Sequence, residues 1–353
     1  MALVRINHIA LRGVAATVPS LELNNSDYDR ISVQDRLLFI KTTGIEKRRV
    51  AASHISTGDM CYHASISLLK KMEWAPEEID AIITVTQSPD HFIPGTAVIL
   101  QNRLGIKKSC VAFDINLGCS GYVYGLYVLG SLMQSGNIRK ALLCAGDKST
   151  LSTSYEDKST YPLFGDAGSA TALEYDLDAE PMWFNLHSDG GGQDAITILD
   201  GGSRNGVSED TFKLKEVAPG IKRARRHLQL NGVEVFNFAL REVPSSIITL
   251  YEFSEKSMEK TDYFFFHQAN KLINESVRKK LKNISPEQFP YSIQQFGNTS
   301  SASVPLTMVN ALTSNNSREN LELCLCGFGV GFSWASCVIS TKNLVCVPLI
   351  ELD

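Results

Sequence analysis

Three polar residues stand where apolar, strand-like runs of the sequence end, and their side chains are of types that do chemistry. Cys119 follows Val111–Ile115, His267 follows Tyr263–Phe266, and Asn298 follows a third apolar run. In layered α/β proteins, ligands bind beyond the carboxyl ends of the strands, so residues far apart in sequence meet in one pocket. We therefore expect a thiol, an imidazole and a carboxamide to share a site.

Cys119 occupies a tight turn, Gly118-Cys119-Ser120-Gly121, directly before an uncharged stretch of helical length. A thiol at a helix N-terminus meets the positive end of the helix dipole and free N–H groups. We therefore expect a lowered pKa and a nucleophilic thiolate. The alternative is that Cys119 is a small buried residue, because free cysteine is among the most buried residue types.

The elements that position these residues recur in both halves of the chain, as a strand, a small-residue turn, an uncharged helix and a second strand that ends in glycine. In the first half these are residues 111–115, 116–121, the stretch to Gly136, and 141–145; in the second half they are 291–295, 296–301, the stretch to Thr313, and 321–326. Helices without charge must be covered on all sides, so the pattern predicts a central helical layer between two sheets.

Two amphipathic stretches, residues 59–72 and 270–282, have polar faces and are predicted to be outer helices. Residues 187–220 are rich in glycine and predict a long connection or a hairpin. Together these elements indicate an α/β fold that is internally duplicated.

Composition narrows the class of protein. The 353 residues predict about two domains or one large duplicated domain. The net charge of −4 lacks the basic excess typical of nucleic-acid binding. The sequence has no signal peptide and no apolar window that would span a membrane, which favours the cytoplasm. The eight cysteines follow no disulfide framework, and the close pair Cys324 and Cys326 has no histidine nearby, so we expect reduced thiols and no metal site.

Five short strings distributed over the chain are specific as a set, although each alone is weak. They are residues 114–121 (DINLGCSG), 164–168 (FGDAG), 266–270 (FHQAN), 296–303 (FGNTSSAS) and 327–334 (GFGVGFSW). Their order and spacing resemble the β-ketoacyl-acyl-carrier-protein synthase III family from about Gly13 to Ile339. The resemblance therefore covers nearly the whole chain.

The resemblance implies a thiolase-like fold of five layers, αβαβα, with one half at residues 1–180 and the other at residues 181–353. It implies a homodimer, and acyl-carrier protein and acyl-CoA as partners. It implies neither a cofactor nor a metal, and no nucleic-acid or membrane partner.

For this chain the resemblance also implies a catalytic triad of Cys119, His267 and Asn298. The thiolate takes an acyl group from a thioester, and a carrier-bound malonyl unit then loses carbon dioxide and attacks the acyl-enzyme. His267 and Asn298 donate to the enolate oxygen, while the backbone N–H groups of Cys119 and Val330 form the oxyanion hole for acyl transfer.

The sequence departs from the family pattern where coenzyme A binds. The aromatic residue that stacks on adenine is replaced by Leu38, and the arginine after it by Thr42. Phe39 or Lys41 are candidates to bind coenzyme A in place of these two residues, and Lys158 aligns with a residue that contacts phosphate. Ile93 aligns with the residue that closes the acyl pocket across the dimer. A different acyl length, or an acyl group delivered by a carrier protein, is therefore expected.

Two basic clusters are candidates for docking an acidic carrier protein, because a positive patch attracts an anionic partner. One is residues 222–227 (KRARRH), and the other is a helix face with Lys271, Arg278, Lys279, Lys280 and Lys282. The alternative for both clusters is a solvated helix face or surface loop.

Two other functions keep this fold. One is an acyltransferase or condensing enzyme of secondary metabolism that uses an acceptor other than malonyl. The other is a silent subunit that pairs with an active homologue and only shapes its pocket. Fold alone does not establish activity, but the complete set of Cys119, His267 and Asn298 argues against a silent subunit.

Overall fold

The computed structural model describes residues 2–282, 284–313 and 319–353. In chain order the strands are β1 (Ala2–Ile6), β2 (Ile9–Pro19), β3 (Glu22–Asn24), β4 (Lys47–Arg49), β5 (Ala81–Val85), β6 (Val111–Ile115), β7 (Lys140–Lys148), β8 (Asp166–Tyr175), β9 (Met182–Ser188), β10 (Ile196–Thr197), β11 (Lys215–Ala218), β12 (Ile221–Arg223), β13 (Gln229–Leu230), β14 (Tyr263–Phe266), β15 (Asn320–Gly329), β16 (Ser333–Lys342), β17 (Val345–Cys346) and β18 (Ile350–Leu352).

The α-helices alternate with these strands over most of the chain. They are α1 (Val33–Thr43), α2 (Thr57–Met72), α3 (Thr96–Arg103), α4 (Gly121–Met133), α5 (Gly232–Ser254), α6 (Lys271–Lys280), α7 (Ile293–Phe296) and α8 (Ser303–Leu312).

Two mixed sheets form the body of the molecule. One has seven strands in the order β17-β2-β8-β7-β5-β6, with β18 also paired to β2, and the other has five in the order β1-β9-β16-β15-β14. Strand β1 belongs to the sheet of the second half, and β17 and β18 belong to the sheet of the first half. The two halves therefore exchange strands at their ends.

Helices α4 and α8 lie between the sheets: α4 contacts β5 and β7 on one side and β15 and β16 on the other, and α8 contacts β2, β8, β14 and β15. Helices α2 and α3 cover the outside of the seven-stranded sheet. Helix α5 covers the outside of the five-stranded sheet, and α6 packs on α5. The five layers expected from the resemblance, αβαβα, are confirmed.

The central helices carry no charged residue, as their burial requires. Close packing also needs small residues on α4. A Cβ added at Gly121 would lie 2.4 Å from the Val85 Cγ1 atom of β5, so only glycine lets the start of α4 approach this strand. That contact holds the end of β5 and the turn of Cys119 close together.

The prediction of a strand at residues 291–295 is wrong, because this segment forms the short helix α7. Its buried residues, Ile293 and Phe296, are three apart, while Gln294 and Gln295 between them are exposed. That spacing fits one face of a helix and not the alternation of a strand. Residues 187–220 contain long connections, as predicted, and the first strand of the β11–β12 hairpin, whose second strand begins just after this range at Ile221.

Candidate functional site

A cavity of about 140 Å³ opens at the ends of β5, β7, β14 and β15, and the three residues singled out from the sequence line it together. Cys119, His267 and Asn298 share it with the ionisable residues Asp147 and Lys148 and with the turn at Gly329 and Val330. Its apolar wall is formed by Leu163, Phe164, Ile196, Ile198, Leu228, Leu230, Val235, Ile273 and Phe328. The strand ends therefore bring both halves of the chain to one pocket.

The turn of Cys119 is fixed from both sides. The N–H of Gly121 donates to the carbonyl of Gly118 (2.7 Å), and the hydroxyls of Ser120 and Ser333 lie 2.6 Å apart. A Cβ added at Gly329 would lie 2.8 Å from the Cys119 sulfur, so glycine is required for β15 to pass this close. The thiol is thus held between α4 and the end of β15.

The pKa of the Cys119 thiol differs from the sequence prediction. Burial is the largest cause and raises this pKa, as does the charge of Asp147, while the backbone N–H groups of Val330 and of Cys119 itself lower it, and the resulting pKa is about 11. The expectation of a lowered pKa is wrong, because the helix N-terminus is weaker than the loss of water around a buried charge. In the free protein Cys119 is therefore a thiol at neutral pH.

His267 is buried, and its backbone is fixed by three hydrogen bonds. Its N–H donates to the carbonyl of Cys326 on the neighbouring β15 (2.7 Å), and its own carbonyl accepts from the Asn274 side chain (2.9 Å) and from the N–H of Ala269 (3.0 Å). The ring nitrogen Nδ1 lies 2.7 Å from the Ser303 hydroxyl. Burial lowers the pKa of His267 to about 3, so the ring is neutral at physiological pH.

The amide of Asn298 has a defined orientation. Its Oδ1 atom accepts the N–H of Ser300 (2.9 Å), and its backbone is tied to the carbonyl of Leu163 and the N–H of Gly165. With Oδ1 engaged in the turn, the NH₂ group of Asn298 is left for the cavity. A neutral donor is therefore presented beside His267.

Sequence reasoning missed two residues at this site, Asp147 and Ser300. Asp147 is buried at the end of β7, and its carboxylate accepts from the Gln87 N–H (2.7 Å) and from the hydroxyl of Ser301 (2.7 Å). Ser300 lines the cavity. One signal was available, because Asp147 follows the uncharged buried run 141–146 at a strand end equivalent to that of Cys119.

The other residues singled out from the sequence lie outside this cavity. Phe39 and Lys41 are on α1, Lys158 is exposed beside Gly220, and Lys271, Lys279 and Lys280 are exposed on α6. Ile93 stands on an exposed loop after β5 and does not line the cavity of its own chain.

The basic cluster at residues 222–227 is largely neutralised within the chain. Lys222 pairs with Glu156 (3.0 Å), Arg223 with Asp157 (3.2 Å) and Arg225 with Asp200 (2.8 Å). These ion pairs hold the β12 segment to residues 156–157 and to Asp200. The cluster is therefore mainly structural.

Within the described ranges, no three His, Cys, Asp or Glu side chains are grouped so as to hold a metal ion. Nor does that part of the chain contain a helix with the length and apolarity needed to cross a bilayer.

Comparison with known proteins decides the family. The chain matches the family described as 3-oxoacyl-[acyl-carrier-protein] synthase III over residues 113–190, and that family's C-terminal domain over residues 252–341. It is 33% identical over 327 residues to β-ketoacyl-[acyl-carrier-protein] synthase III 1 of Halalkalibacterium halodurans, covering 92% of this chain and 96% of that one. The chain belongs to the β-ketoacyl-acyl-carrier-protein synthase III family.

Solved structures agree with this membership. The 3-oxoacyl-(acyl-carrier protein) synthase of Burkholderia xenovorans LB400 superposes with a TM-score of 0.92 at 34% identity over 99% of both chains. The priming β-ketosynthase of the R1128 polyketide pathway, at 24% identity and a TM-score of 0.82, shares the fold. The protein is a thiolase-like condensing enzyme, an acyltransferase of the synthase III type.

The neutral, buried His267 of this synthase III chain makes its stability depend on pH. Its pKa falls from the ordinary value of 6.5 to about 3 on folding, so between these values only the unfolded chain binds a proton there. The free energy of unfolding therefore falls as the pH falls. From pH 7 to pH 5 this group alone removes about 2 kcal/mol.

Urea unfolding of the wild type and of His267→Gln at both pH values measures this contribution. We expect the wild type to lose about 2 kcal/mol more than the variant between pH 7 and pH 5. Equal losses would mean that His267 is protonated in the folded protein.

Proposed function

We propose that Cys119, His267 and Asn298 catalyse a two-step condensation, in which an acyl group is transferred to Cys119 and then joined to a decarboxylated malonyl unit. The observation that carries this proposal is the shared cavity, in which the thiol and two neutral donors face one apolar space. In the proposed reaction the acyl donor is acyl-CoA or acyl-carrier protein, and the second substrate is malonyl-carrier protein. Both substrates are thioesters, and groups of the protein act on them.

In the first step the Cys119 sulfur attacks the thioester carbonyl carbon, and negative charge develops on the carbonyl oxygen. The backbone N–H groups of Cys119 and Val330 both lower the pKa of the Cys119 thiol. This effect supports their proposed role as the oxyanion hole. Backbone donors fixed in this way need no reorganisation during the reaction. The thioester formed on Cys119 keeps the acyl carbon electrophilic for the second step.

In the second step the malonyl carboxylate leaves as carbon dioxide, and the electron pair becomes an enolate on the thioester. The NH₂ group of Asn298 and Nε2 of His267 are the proposed donors to the enolate oxygen. For Nε2 to carry the single ring proton, Nδ1 must be unprotonated and must accept a hydrogen bond. The Ser303 hydroxyl lies 2.7 Å from Nδ1 and 2.8 Å from the carbonyl of Ser300, and in the proposed tautomer it turns its single proton from that carbonyl to the ring.

The apolar wall of the cavity favours an aliphatic acyl group, and Asn270 and Ile273 at the start of α6, the helix that α1 contacts, also line the cavity. Leu38 is exposed on α1. Phe39 and Lys41 beside it, together with Lys158, are the proposed contacts of coenzyme A. Lys271, Lys279 and Lys280 supply an exposed basic face on α6 for an acidic carrier protein. We place the reaction in the cytoplasm, where free cysteines stay reduced.

A homodimer is proposed from the free edge of the seven-stranded sheet. Among the described residues, strand β6 pairs with β5 on one side only, and two of its side chains are exposed, Val111 by 41% and Phe113 by 36%. The nearby loop exposes Phe92 by 91% and Ile93 by 86%. A second copy pairing along β6 would cover these apolar groups and bring Ile93 of the partner subunit towards the acyl pocket.

Replacing Phe113 by Lys tests the dimer. The lysine charge on the proposed interface is expected to convert most of the protein to monomer, because burying a charge between the two subunits is costly. Sedimentation velocity at micromolar concentration measures the change, with the exposed Leu177→Lys, on a distant loop, as control. An unchanged dimer in the Phe113 variant, or a monomeric wild type, would exclude β6 as the interface.

Intact-protein mass spectrometry after mixing with acyl-CoA and acyl-carrier-protein donors tests the proposed chemistry. We expect a single acyl adduct on the wild type and none on Cys119→Ser. Asn298→Ala should accept the acyl group but lose condensation by about 100- to 1000-fold, because a donor to the enolate is missing. The donor that reacts identifies the acyl chain.

The same experiment decides between the alternatives. An adduct that never condenses with a malonyl thioester would indicate a different acceptor. No adduct from any donor would contradict the proposed function and favour a silent subunit. Lys279→Glu combined with Lys280→Glu is expected to slow acylation by carrier-bound donors but not by coenzyme A donors.

A further inference from the structure

Arg48 on β4 is an arginine with a buried side chain, only 2% exposed. Its neighbour Arg49 pairs with Glu351 (2.8 Å), whereas no carboxylate of the described residues forms an ion pair with Arg48. Arginine stays charged at physiological pH, and burying a charge is costly unless hydrogen bonds compensate for the lost water. The charge of Arg48 must therefore be compensated by other contacts.

Two hydrogen bonds and an aromatic ring surround this guanidinium. Its Nε donates to Asn25 Oδ1 (3.1 Å), and its Nη1 donates to the carbonyl of Phe164 (3.1 Å). The guanidinium carbon lies 4.6 Å from the centre of the Tyr161 ring, a cation–π distance. Asn25 is also buried, and its Nδ2 donates to the carbonyl of Pro162 (2.9 Å). Arg48 and Asn25 thus hold the same short piece of backbone.

This piece of backbone, segment 162–165, in turn holds Asn298. The carbonyl of Leu163 accepts the N–H of Asn298 (2.9 Å), and the N–H of Gly165 donates to the carbonyl of Asn298 (3.1 Å). Gly297 lets the chain turn this close to the segment, because its φ of 66° is left-handed and an added Cβ would lie 2.8 Å from the carbonyl oxygen of Leu163. The backbone of Asn298 is therefore fixed on both sides by segment 162–165.

A single peptide group connects the guanidinium with Asn298. Its carbonyl, from Phe164, accepts from Arg48. Its N–H, from Gly165, donates to Asn298. A charged donor at the oxygen polarises this peptide and strengthens the hydrogen bond that its N–H makes. The Oδ1 atom of Asn298 accepts from the N–H of Ser300 (2.9 Å), so both the backbone and the side chain of Asn298 are oriented.

The other two residues of the site are held by different contacts. In the described part of the chain, neither Cys119 nor His267 shares a hydrogen bond with Arg48, with Asn25 or with segment 162–165. The turn of Cys119 is held within itself and against β15, and His267 is held from β15 and α6. A change at Arg48 is therefore expected to reach Asn298 and not the nucleophile.

We propose that Arg48 is a positioning residue, whose buried guanidinium fixes segment 162–165 and thereby directs the NH₂ group of Asn298 to the enolate oxygen. Arg48 does not line the cavity, so it acts through Asn298 and touches no reacting atom. Asn298 is a proposed donor in the condensing step alone. Arg48 therefore contributes to condensation and not to acyl transfer. This inference rests on the proposed role of Asn298.

Single-turnover kinetics of Arg48→Met separate the two half-reactions. Methionine fills much of the same space but donates no hydrogen bond. At saturating donor we expect acylation within about threefold of the wild-type rate, and condensation from pre-acylated enzyme about 10- to 100-fold slower, because a displaced donor stabilises the enolate less. Equal slowing of both half-reactions, or no slowing of condensation, would overturn the proposal.

Arg49→Met is the matched control. Arg49 lies on the same strand and also donates to two backbone carbonyls, those of Pro19 (3.2 Å) and Ser20 (3.0 Å), which are not part of segment 162–165. We expect both half-reactions to keep their wild-type rates in this variant. Arg48→Lys keeps the charge and one donor group, so it should retain part of the condensation rate, and it carries the test if the methionine variant does not fold.

A double-mutant cycle determines whether Arg48 acts through Asn298. In the Asn298→Ala background the donor is already absent, so adding Arg48→Met should slow condensation by no more than about twofold further. A further loss as large as the one in the wild-type background would mean that Arg48 acts elsewhere, and would contradict the proposal.

Hydrogen–deuterium exchange provides a readout that needs no substrate. The N–H groups of Gly165 and Asn298 should exchange at least about tenfold faster in Arg48→Met than in the wild type, and at the wild-type rate in Arg49→Met. Unchanged exchange of both groups in Arg48→Met would show that the guanidinium does not hold them. If the wild type neither acylates nor condenses, the proposed function fails, whereas the exchange rates still decide whether Arg48 positions Asn298.

Discussion

The packing of two uncharged helices between two sheets is the constraint on which the site depends. Helices α4 and α8 are covered on both sides, so the turns at their N-termini lie largely inside the molecule: Cys119 is half-buried, and Asn298, before α8, is buried. A charge in such a place is costly unless it is paired. The site is consequently built from a thiol, a neutral imidazole and a carboxamide.

Burial also determines how the polar groups hold one another. Asp147 reaches from the first half to Ser301 of the second half, and Ser303 connects the turn after Asn298 to the ring of His267. Few of these groups meet solvent, so each must be satisfied by another. The turn at 298–303 therefore positions both proposed enolate donors and is itself anchored by a carboxylate from the other half.

Local signals in the sequence predict the central helical layer and the meeting of Cys119, His267 and Asn298, while the five layers and the proposed triad come from the resemblance to the family. Uncharged helices indicate the central layer, and Cys119, His267 and Asn298 each follow an apolar run. Asp147 also follows an apolar run, but its contact with Ser301 of the other half leaves no local signal, and neither does the position of Ser300 in the cavity. The segment 291–295 was read as a strand although Ile293 and Phe296 have helical spacing, and the thiol pKa was judged without its burial.

The central claim is that the buried site works through neutral donors. Nitrogen-15 NMR of the histidine rings, with His267→Gln to assign the signal, tests it directly in the unacylated enzyme between pH 5 and pH 8. The account predicts that His267 stays neutral throughout, with its proton on Nε2 and Nδ1 accepting from Ser303. Titration near pH 6.5, or a proton resident on Nδ1, would contradict it.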